Sequence, residues 1–205
     1  MPDVGGMLGL EVPWRVREEL DRITKDGVAK DQLGSLVHAV LDVARHHGLR
    51  IELVEVPDPS KEFNCFRYAL KLRELPEWVY DACMCANPPT GVKSDFVRSL
   101  LEDPLVLKES NDIHDGDIAI YFDNGTITHA GLVQNGRVVS KWGSGHIWIH
   151  GVMEVPSAYG SHVRFYAPID SLAALRRFEA YLRTQYGDDF VDDFNGSDPD
   201  DLHSG

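Results

Sequence analysis

The chain has 205 residues, of which 43% are apolar and 26% charged, a composition typical of a globular protein with a core of its own. No apolar run approaches the roughly 18 residues that a membrane-spanning helix needs, so we expect no membrane partner. The net charge is −13, and because nucleic acids are bound through Lys and Arg, it argues against a nucleic-acid partner. The first residues lack a secretory signal pattern, which predicts a cytoplasmic protein, or one exported without a signal peptide.

The N-terminal part of the chain predicts two amphipathic helices and a strand. Apolar residues recur at helical spacing from Val16 to Ile23 and more strongly from Leu33 to Ala44, after which Gly48 is a typical stop signal. The run 50–56 alternates between polar and apolar residues, which predicts a short strand. We therefore interpret residues 1–59 as an N-terminal helical extension with a short strand.

The rest of the chain changes from helical patterns to strand patterns. Residues 64–110 predict helices interrupted by prolines, and the runs that follow are joined by Asn-Gly pairs at 124–125 and 135–136. Such pairs tolerate the positive φ of tight hairpin turns. The pattern predicts an antiparallel three-strand meander over 117–142, strands over 147–152 and 162–166, and a final helix over 172–186. Helices followed by a sheet predict the α+β class.

The last segment is strongly acidic. Residues 187–205 contain seven aspartates and no Lys or Arg, and such a segment cannot bury enough apolar surface to fold, so we predict a disordered acidic tail. Calcium binding is the alternative, although the spacing of an EF-hand loop is not met. The predicted folded unit is residues 60–186.

Three cysteines in a chain without a secretory signal predict free thiols. Cys83 and Cys85 lie in an apolar stretch, where cysteine usually packs in a core. Cys65 follows Asn64, a good helix N-cap, and would lie in the first turn of a helix, where backbone amides favour the thiolate. From this position alone, Cys65 is either a nucleophile or a buried structural cysteine.

His129 is placed by the geometry of the predicted hairpin. A two-residue turn pairs positions that sum to 271, so His129 faces Trp142 and Gly131 faces Ser140. Ser140 is then a diagonal neighbour of His129 on the same face, while Lys141 points to the opposite face. From this geometry alone, His129 is either a general base or a buried histidine whose nitrogens are hydrogen-bonded within the core.

Four short motifs, in this order, resemble those of papain-like cysteine peptidases and amidases of the NlpC and CHAP types. They are Asn-Cys-Phe-x-Tyr-Ala-Leu at 64–70, Gly-Asp-Ile-Ala-Ile-Tyr at 116–121, Thr-His-Ala-Gly-Leu-Val at 128–133 and Asn-Gly-Arg-Val-Val-Ser-Lys-Trp-Gly at 135–143. The resemblance covers about residues 60–167. It is closest to a bacterial branch of that superfamily with Ser-Lys-x-Gly, a later His and Tyr-Gly, which match 140–143, His150 and 159–160 here.

The resemblance implies a papain-like (NlpC-type) α+β fold, with an antiparallel sheet packed on the Cys-bearing helix. It implies a cysteine hydrolase or acyltransferase that acts on an amide or thioester bond, with Cys65 as nucleophile and His129 as general base. Ser140 takes the third position, where relatives carry His, Asn, Gln or an acidic residue. No metal or organic cofactor is implied.

The resemblance also suggests what surrounds the site. Asn64, Trp142 and His150 are expected to contact a peptide or another amide-containing substrate. A hydroxyl orients an imidazole more weakly than a carboxylate does, so the alternative is a binding module of the same fold, catalytically weak or inactive, that holds a peptide in the cleft. His150 also competes with Ser140 for the third position, provided that its strand pairs beside 137–142. The sequence does not indicate an oligomeric state.

Overall fold

The computed structural model describes residues 12–25, 33–56, 63–73, 92–143 and 145–189. Three predicted features lie outside the described residues: the domain boundary at 59–60, the segment with Cys83 and Cys85, and all but the first residues of the acidic tail.

The described helices agree with the periodicity of the sequence. They are α1 (Trp14–Lys25), α2 (Leu33–His47), α3 (Cys65–Ala69), α4 (Ser94–Leu101) and α5 (Ser171–Tyr186), with a short 3₁₀ helix at Ser157–Tyr159. Gly48 follows α2 at φ +66°, a left-handed conformation that ends helices at little cost for glycine. Asp170 caps α5, because its carboxylate accepts hydrogen bonds from the first free amides of the helix. None of these described helices has the length and apolar character that crossing a bilayer demands.

The sheet is antiparallel throughout and has six strands in the described residues. They are β1 (Glu52–Glu55), β2 (Ile118–Asp123), β3 (Thr126–Gln134), β4 (Arg137–Lys141), β5 (Ile147–His150) and β6 (His162–Tyr166), in the order β1-β5-β4-β3-β2-β6. β2, β3 and β4 form the predicted meander, and both residues of each Asn-Gly turn have positive φ. Gln134 lies opposite Arg137 and Leu132 opposite Val139, which confirms the predicted register next to the turn; the predicted pairs of Gly131 with Ser140 and of His129 with Trp142 lie beyond the observed pairing. The α+β class is therefore confirmed.

The fifth strand is shorter than predicted. It ends at His150, because the chain turns at Gly151, whose amide donates to the Glu154 carboxylate while its carbonyl accepts from the Glu154 amide. A Cβ at position 151 would lie 2.7 Å from that carboxyl group, so a larger residue there would displace the Glu154 side chain.

The two faces of the sheet carry separate apolar clusters. The α3 face is covered by α3, α4 and α5, and its buried residues include Phe66, Phe96, Ile120, Ala130 and Phe178. The α1 face is covered by α1 and α2, and its buried residues include Leu20, Val40, Tyr121, Val138 and Trp148. Since strand side chains alternate between faces, Ala130 points to the α3 face and His129, its neighbour on β3, to the α1 face.

The described part of the N-terminal extension shares its core with the sheet. β1 pairs with β5 as an edge strand, and the apolar sides of α1 and α2 pack on the α1 face. Arg137 of β4 strengthens this edge by donating to the Glu52 carboxylate of β1 and to the Ile149 carbonyl of β5. Residues from the extension therefore help to bury the face to which His129 points.

Candidate functional site

Asn64 fixes the start of the helix that carries Cys65. Its side-chain oxygen accepts from the Arg67 amide at 2.9 Å, the N-cap geometry that the sequence predicts. Its side-chain nitrogen donates to the Val92 carbonyl at 2.6 Å, which ties the helix start to the segment before α4. Both ends of the amide are thus hydrogen-bonded within the chain. Asn64 holds Cys65 in place, and its predicted contact with a substrate stays a prediction.

The short helix that carries Cys65 packs against both β3 and β4. The observed pairing of these strands ends two positions before Ala130 and Lys141, which would form the next hydrogen-bonded pair in the same register. The backbone amide of Ala130 lowers the pKa of the Cys65 thiol. Cys65 also packs against the apolar cluster that contains Ala130, the residue that follows His129.

The thiol of Cys65 is protonated at neutral pH. Burial raises the pKa of the Cys65 thiol to about 11, although the backbone amides of Ala130 and Phe66 and the ammonium of Lys141 act in the opposite direction. The five-residue helix α3 has too few aligned peptide dipoles to offset this desolvation. The sequence predicts a lowered pKa at this helix start, but the pKa is raised instead, because burial outweighs the backbone amides. As a whole residue, Cys65 stays partly exposed.

His129 is a neutral, enclosed imidazole. Its ring is 1% exposed and stacks on Tyr159, with 3.8 Å between ring centroids and 6° between ring planes, while Tyr121 lies on another side at 5.4 Å. Among the described residues, none forms a hydrogen bond with Nε2 of His129. Burial lowers the pKa of His129 well below its usual 6.5, and the neighbouring His150 lowers it further. The ring nitrogen is therefore available for a proton but closed off from water.

Ser140 bonds to His150 rather than to His129. Its hydroxyl lies 2.8 Å from Nε2 of His150 and accepts from the indole nitrogen of Trp142 at 3.1 Å. Because Nδ1 of His150 lies 2.8 Å from the Gly151 carbonyl, it carries the proton, and Nε2 accepts from the Ser140 hydroxyl. Burial lowers the pKa of His150 to about 4. The hydroxyl donates to His150 and accepts from Trp142, and within the described residues the predicted bond from His129 to Ser140 is not formed.

The structure brings part of the predicted site together. Ser140, His150 and Trp142 lie with His129 on the α1 face, and β5 pairs beside β4 as the alternative third position for His150 requires. Cys65 packs with the α3 face, and within the described residues no hydrogen bond joins it to His129. The two side chains are neighbours along β3 that approach the sheet from different sides. Their catalytic roles stay predictions.

Tyr159 covers His129, a contact that sequence reasoning missed. The hydroxyl of Tyr159 accepts from the Gly143 amide at 3.0 Å, and its carbonyl accepts from the Thr128 hydroxyl at 2.7 Å. The next residue, Gly160, has φ +93°, and a Cβ there would lie 2.2 Å from the Phe122 carbonyl oxygen. The motif match at 159–160 was a signal for this loop, but no periodicity predicts that its ring covers an imidazole.

Arg17 of α1 anchors the loop that carries Tyr159. Its guanidinium is buried and donates to the carbonyls of Val155 at 3.0 Å, Pro156 at 3.3 Å and Gly160 at 2.5 Å. Burial lowers the pKa of Arg17 from its usual value, and the three carbonyls compensate for the lost hydration. The N-terminal helix thus determines where the cover of His129 lies.

A protein metal site needs three or more converging ligands, and no group of three His, Cys, Asp or Glu side chains in the described ranges could hold an ion.

Fold and site together define an α+β protein with a six-stranded antiparallel sheet and a partly buried thiol at the start of a short helix. A family model described as "Domain of unknown function (DUF7689)" matches residues 56–167, more than half of the chain. The chain belongs to this family, and the matched range contains every predicted site residue. No curated protein and no solved structure matches the chain.

Proposed function

We propose that the protein is a thiol-dependent hydrolase or acyltransferase of papain-like (NlpC-type) fold that acts on an amide or thioester bond. The observation that carries the proposal is the packing of Cys65, at the start of α3, against the apolar cluster that contains Ala130, because Ala130 is the residue that follows His129. The Ala130 amide also lowers the pKa of the Cys65 thiol, although burial outweighs it. Thiol acyl transfer requires a thiol and an imidazole with a ring nitrogen free to take its proton, and Nε2 of His129 forms no hydrogen bond within the described residues.

The protonation states favour general-base activation over a preformed ion pair. With the pKa of Cys65 raised by burial and that of His129 lowered by it, the resting pair is a thiol and a neutral imidazole. As the sulfur attacks a carbonyl carbon, the thiol proton passes to His129, and the oxyanion accepts a hydrogen bond from the Cys65 amide. His129 then protonates the leaving group, and water or a second nucleophile releases the acyl group from Cys65.

Access requires the loop around Tyr159 to move. In the described arrangement the Tyr159 ring lies flat on His129, and Trp142 and His150 are fully buried. These residues contact a peptide or another amide-containing substrate only when that cover opens.

From the sequence we further propose a cytoplasmic protein, or one exported without a signal peptide, that acts on neither nucleic acid nor membrane.

A second candidate function is a binding module of the same fold that holds a peptide in the cleft without turning it over. Two observations favour it: the thiol of Cys65, whose pKa is raised to about 11, and the hydroxyl of Ser140, which is committed to His150 instead of orienting His129.

Acetylation by p-nitrophenyl acetate distinguishes the two candidates. The full chain is incubated with the ester, and intact mass and peptide mapping locate the acetyl group. A thiol acyltransferase gains one acetyl group on Cys65 and releases nitrophenol repeatedly, whereas Cys65→Ser does neither and the control Cys83→Ser does both. Turnover that persists in Cys65→Ser would overturn the proposal. A wild-type protein that binds peptides but is never acetylated at Cys65 would establish the binding module instead.

A further inference from the structure

Lys141 is a buried cation on the α3 face of the sheet. It is the last residue of β4 and only 3% exposed, which is uncommon for lysine. Its ammonium donates to the carbonyls of Gly143 at 2.9 Å and Gly145 at 3.1 Å, and lies 5.2 Å from the centroid of the Phe63 ring. These contacts fix the charge in one position.

That position is at the start of the helix that carries the thiol. When the observed register of β3 and β4 is continued by two positions, Lys141 lies opposite Ala130, and Cys65 packs against the apolar cluster that contains Ala130. Phe63, which packs against the ammonium, lies two residues before Cys65 in the chain. The helix α3 packs against both β3 and β4, and the charge of Lys141 lowers the pKa of the Cys65 thiol. Strand alternation puts His129 and Lys141 on opposite faces of the sheet.

The other ionisable groups near the thiol do not supply this charge. The Arg67 guanidinium of α3 donates to the carbonyls of Leu72 and Arg73, at the far end of the helix. The pKa of His129 is lowered by burial and that of Tyr159 is raised by it, so both are neutral. Among the described residues, Lys141 is the cation whose charge acts on the sulfur.

We propose that Lys141 is a positioning residue of the thiol site, whose fixed ammonium stabilises the negative charge that develops on the Cys65 sulfur when the thiol loses its proton. The inference rests on the proposed function for the reaction in which that charge develops. The effect of the Lys141 charge on the sulfur can be measured without any catalytic turnover.

The test compares two alkylating reagents of similar size and different charge. At pH 8.5 the rate constants for iodoacetate and iodoacetamide at Cys65 are measured by peptide mass spectrometry, and their ratio reports the local potential at the sulfur. A neighbouring cation accelerates the anionic reagent. We expect the ratio to fall about fivefold in Lys141→Met and Lys141→Gln, as for a unit charge a few ångströms away in a partly screened site. Lys141→Arg keeps the charge and most of the ratio, and Lys108→Met, which removes an exposed lysine, leaves the ratio unchanged.

The possible results distinguish an effect of the Lys141 charge from an effect of its packing, and they do so independently of catalytic turnover. An unchanged ratio in folded Lys141→Met or Lys141→Gln would overturn the inference, as would a fall in Lys141→Arg as large as in Lys141→Met. The use of two neutral variants keeps the test decisive if one of them does not fold, and circular dichroism establishes which variants are folded. If the ratio falls as expected but the wild-type chain never transfers an acyl group, the proposed function fails and the role of Lys141 stands.

Discussion

Lowering the pH from 7.5 to 5.5 should destabilise the fold through two buried histidines. Burial lowers the pKa of His129 well below 6.5 and that of His150 to about 4. In the unfolded chain both rings titrate near 6.5, so below that pH the unfolded chain binds protons that the folded chain does not. The folded state therefore has its full stability above about pH 6.5 and loses it progressively as the pH falls toward the folded pKa values.

The size of this destabilisation follows from the difference between the pH and the histidine pKa in the unfolded chain. At pH 5.5, one unit below the ordinary value, each histidine that stays neutral in the folded chain lowers the free energy of unfolding by about 1.4 kcal/mol. His129 and His150 together lower the free energy of unfolding by about 3 kcal/mol, which is a large fraction of the stability of a typical domain. His146, whose pKa burial also lowers, acts in the same direction. The pKa of Glu55 is lowered by its bond to Arg73, and its effect begins only below pH 4.5, outside this window.

Urea unfolding at the two pH values measures this loss. The wild-type chain should lose about 3 kcal/mol, whereas His129→Gln and His150→Gln should each reduce the pH-dependent part by about 1.4 kcal/mol. His162→Gln removes an exposed histidine and should behave as the wild type. If His129→Gln shows the same pH dependence as the wild type, His129 takes up its proton in the folded chain, and the enclosed imidazole described above is wrong.

Three further substitutions test the loop and the third position of the site. Arg17→Met removes three hydrogen bonds from a buried guanidinium and should cost roughly 2–4 kcal/mol in urea unfolding; an effect no larger than that of the exposed control Arg22→Met would contradict the anchoring role. Gly160→Ala puts a Cβ against a carbonyl at positive φ and should lower the thermal midpoint by several degrees, for a loss of roughly 2 kcal/mol or more, and an unchanged midpoint would refute the close approach. Ser140→Ala should reduce acetylation of the thiol far less than the roughly 10⁴-fold loss seen when a triad carboxylate is disabled, and a large defect confined to His150→Ala would assign the third position to His150.

The strands and their register could be predicted from the sequence because the signals are local. Each Asn-Gly turn fixes a two-residue hairpin, and the strict alternation of strand side chains then puts His129 and Ser140 on one face. Helix spacing likewise predicted α1 and α2, and the cap at Asn64 predicted the start of α3.

The closed state of the site could not be predicted, because it depends on contacts between distant parts of the chain. Tyr159 reaches His129 from a loop that Arg17 anchors across more than 130 residues of sequence. The pattern around Cys65 indicated a helix start but carried no information on desolvation, which decides the direction of the thiol pKa. Ser140 was placed on the correct face, but its choice of His150 over His129 follows from the pairing of β5 with β4.

The central claim, that His129 removes the proton from Cys65, is tested most directly by the rate of Cys65 acetylation between pH 6.5 and 11 in the wild-type chain and in His129→Gln. With the thiol pKa near 11, only a small fraction is thiolate at neutral pH, so a general base has a large effect there. The account predicts that the wild type is about 10²-fold faster at pH 7.5 and that the two rates converge toward pH 11, where the thiolate forms unaided. Rates that coincide over the whole range would contradict it.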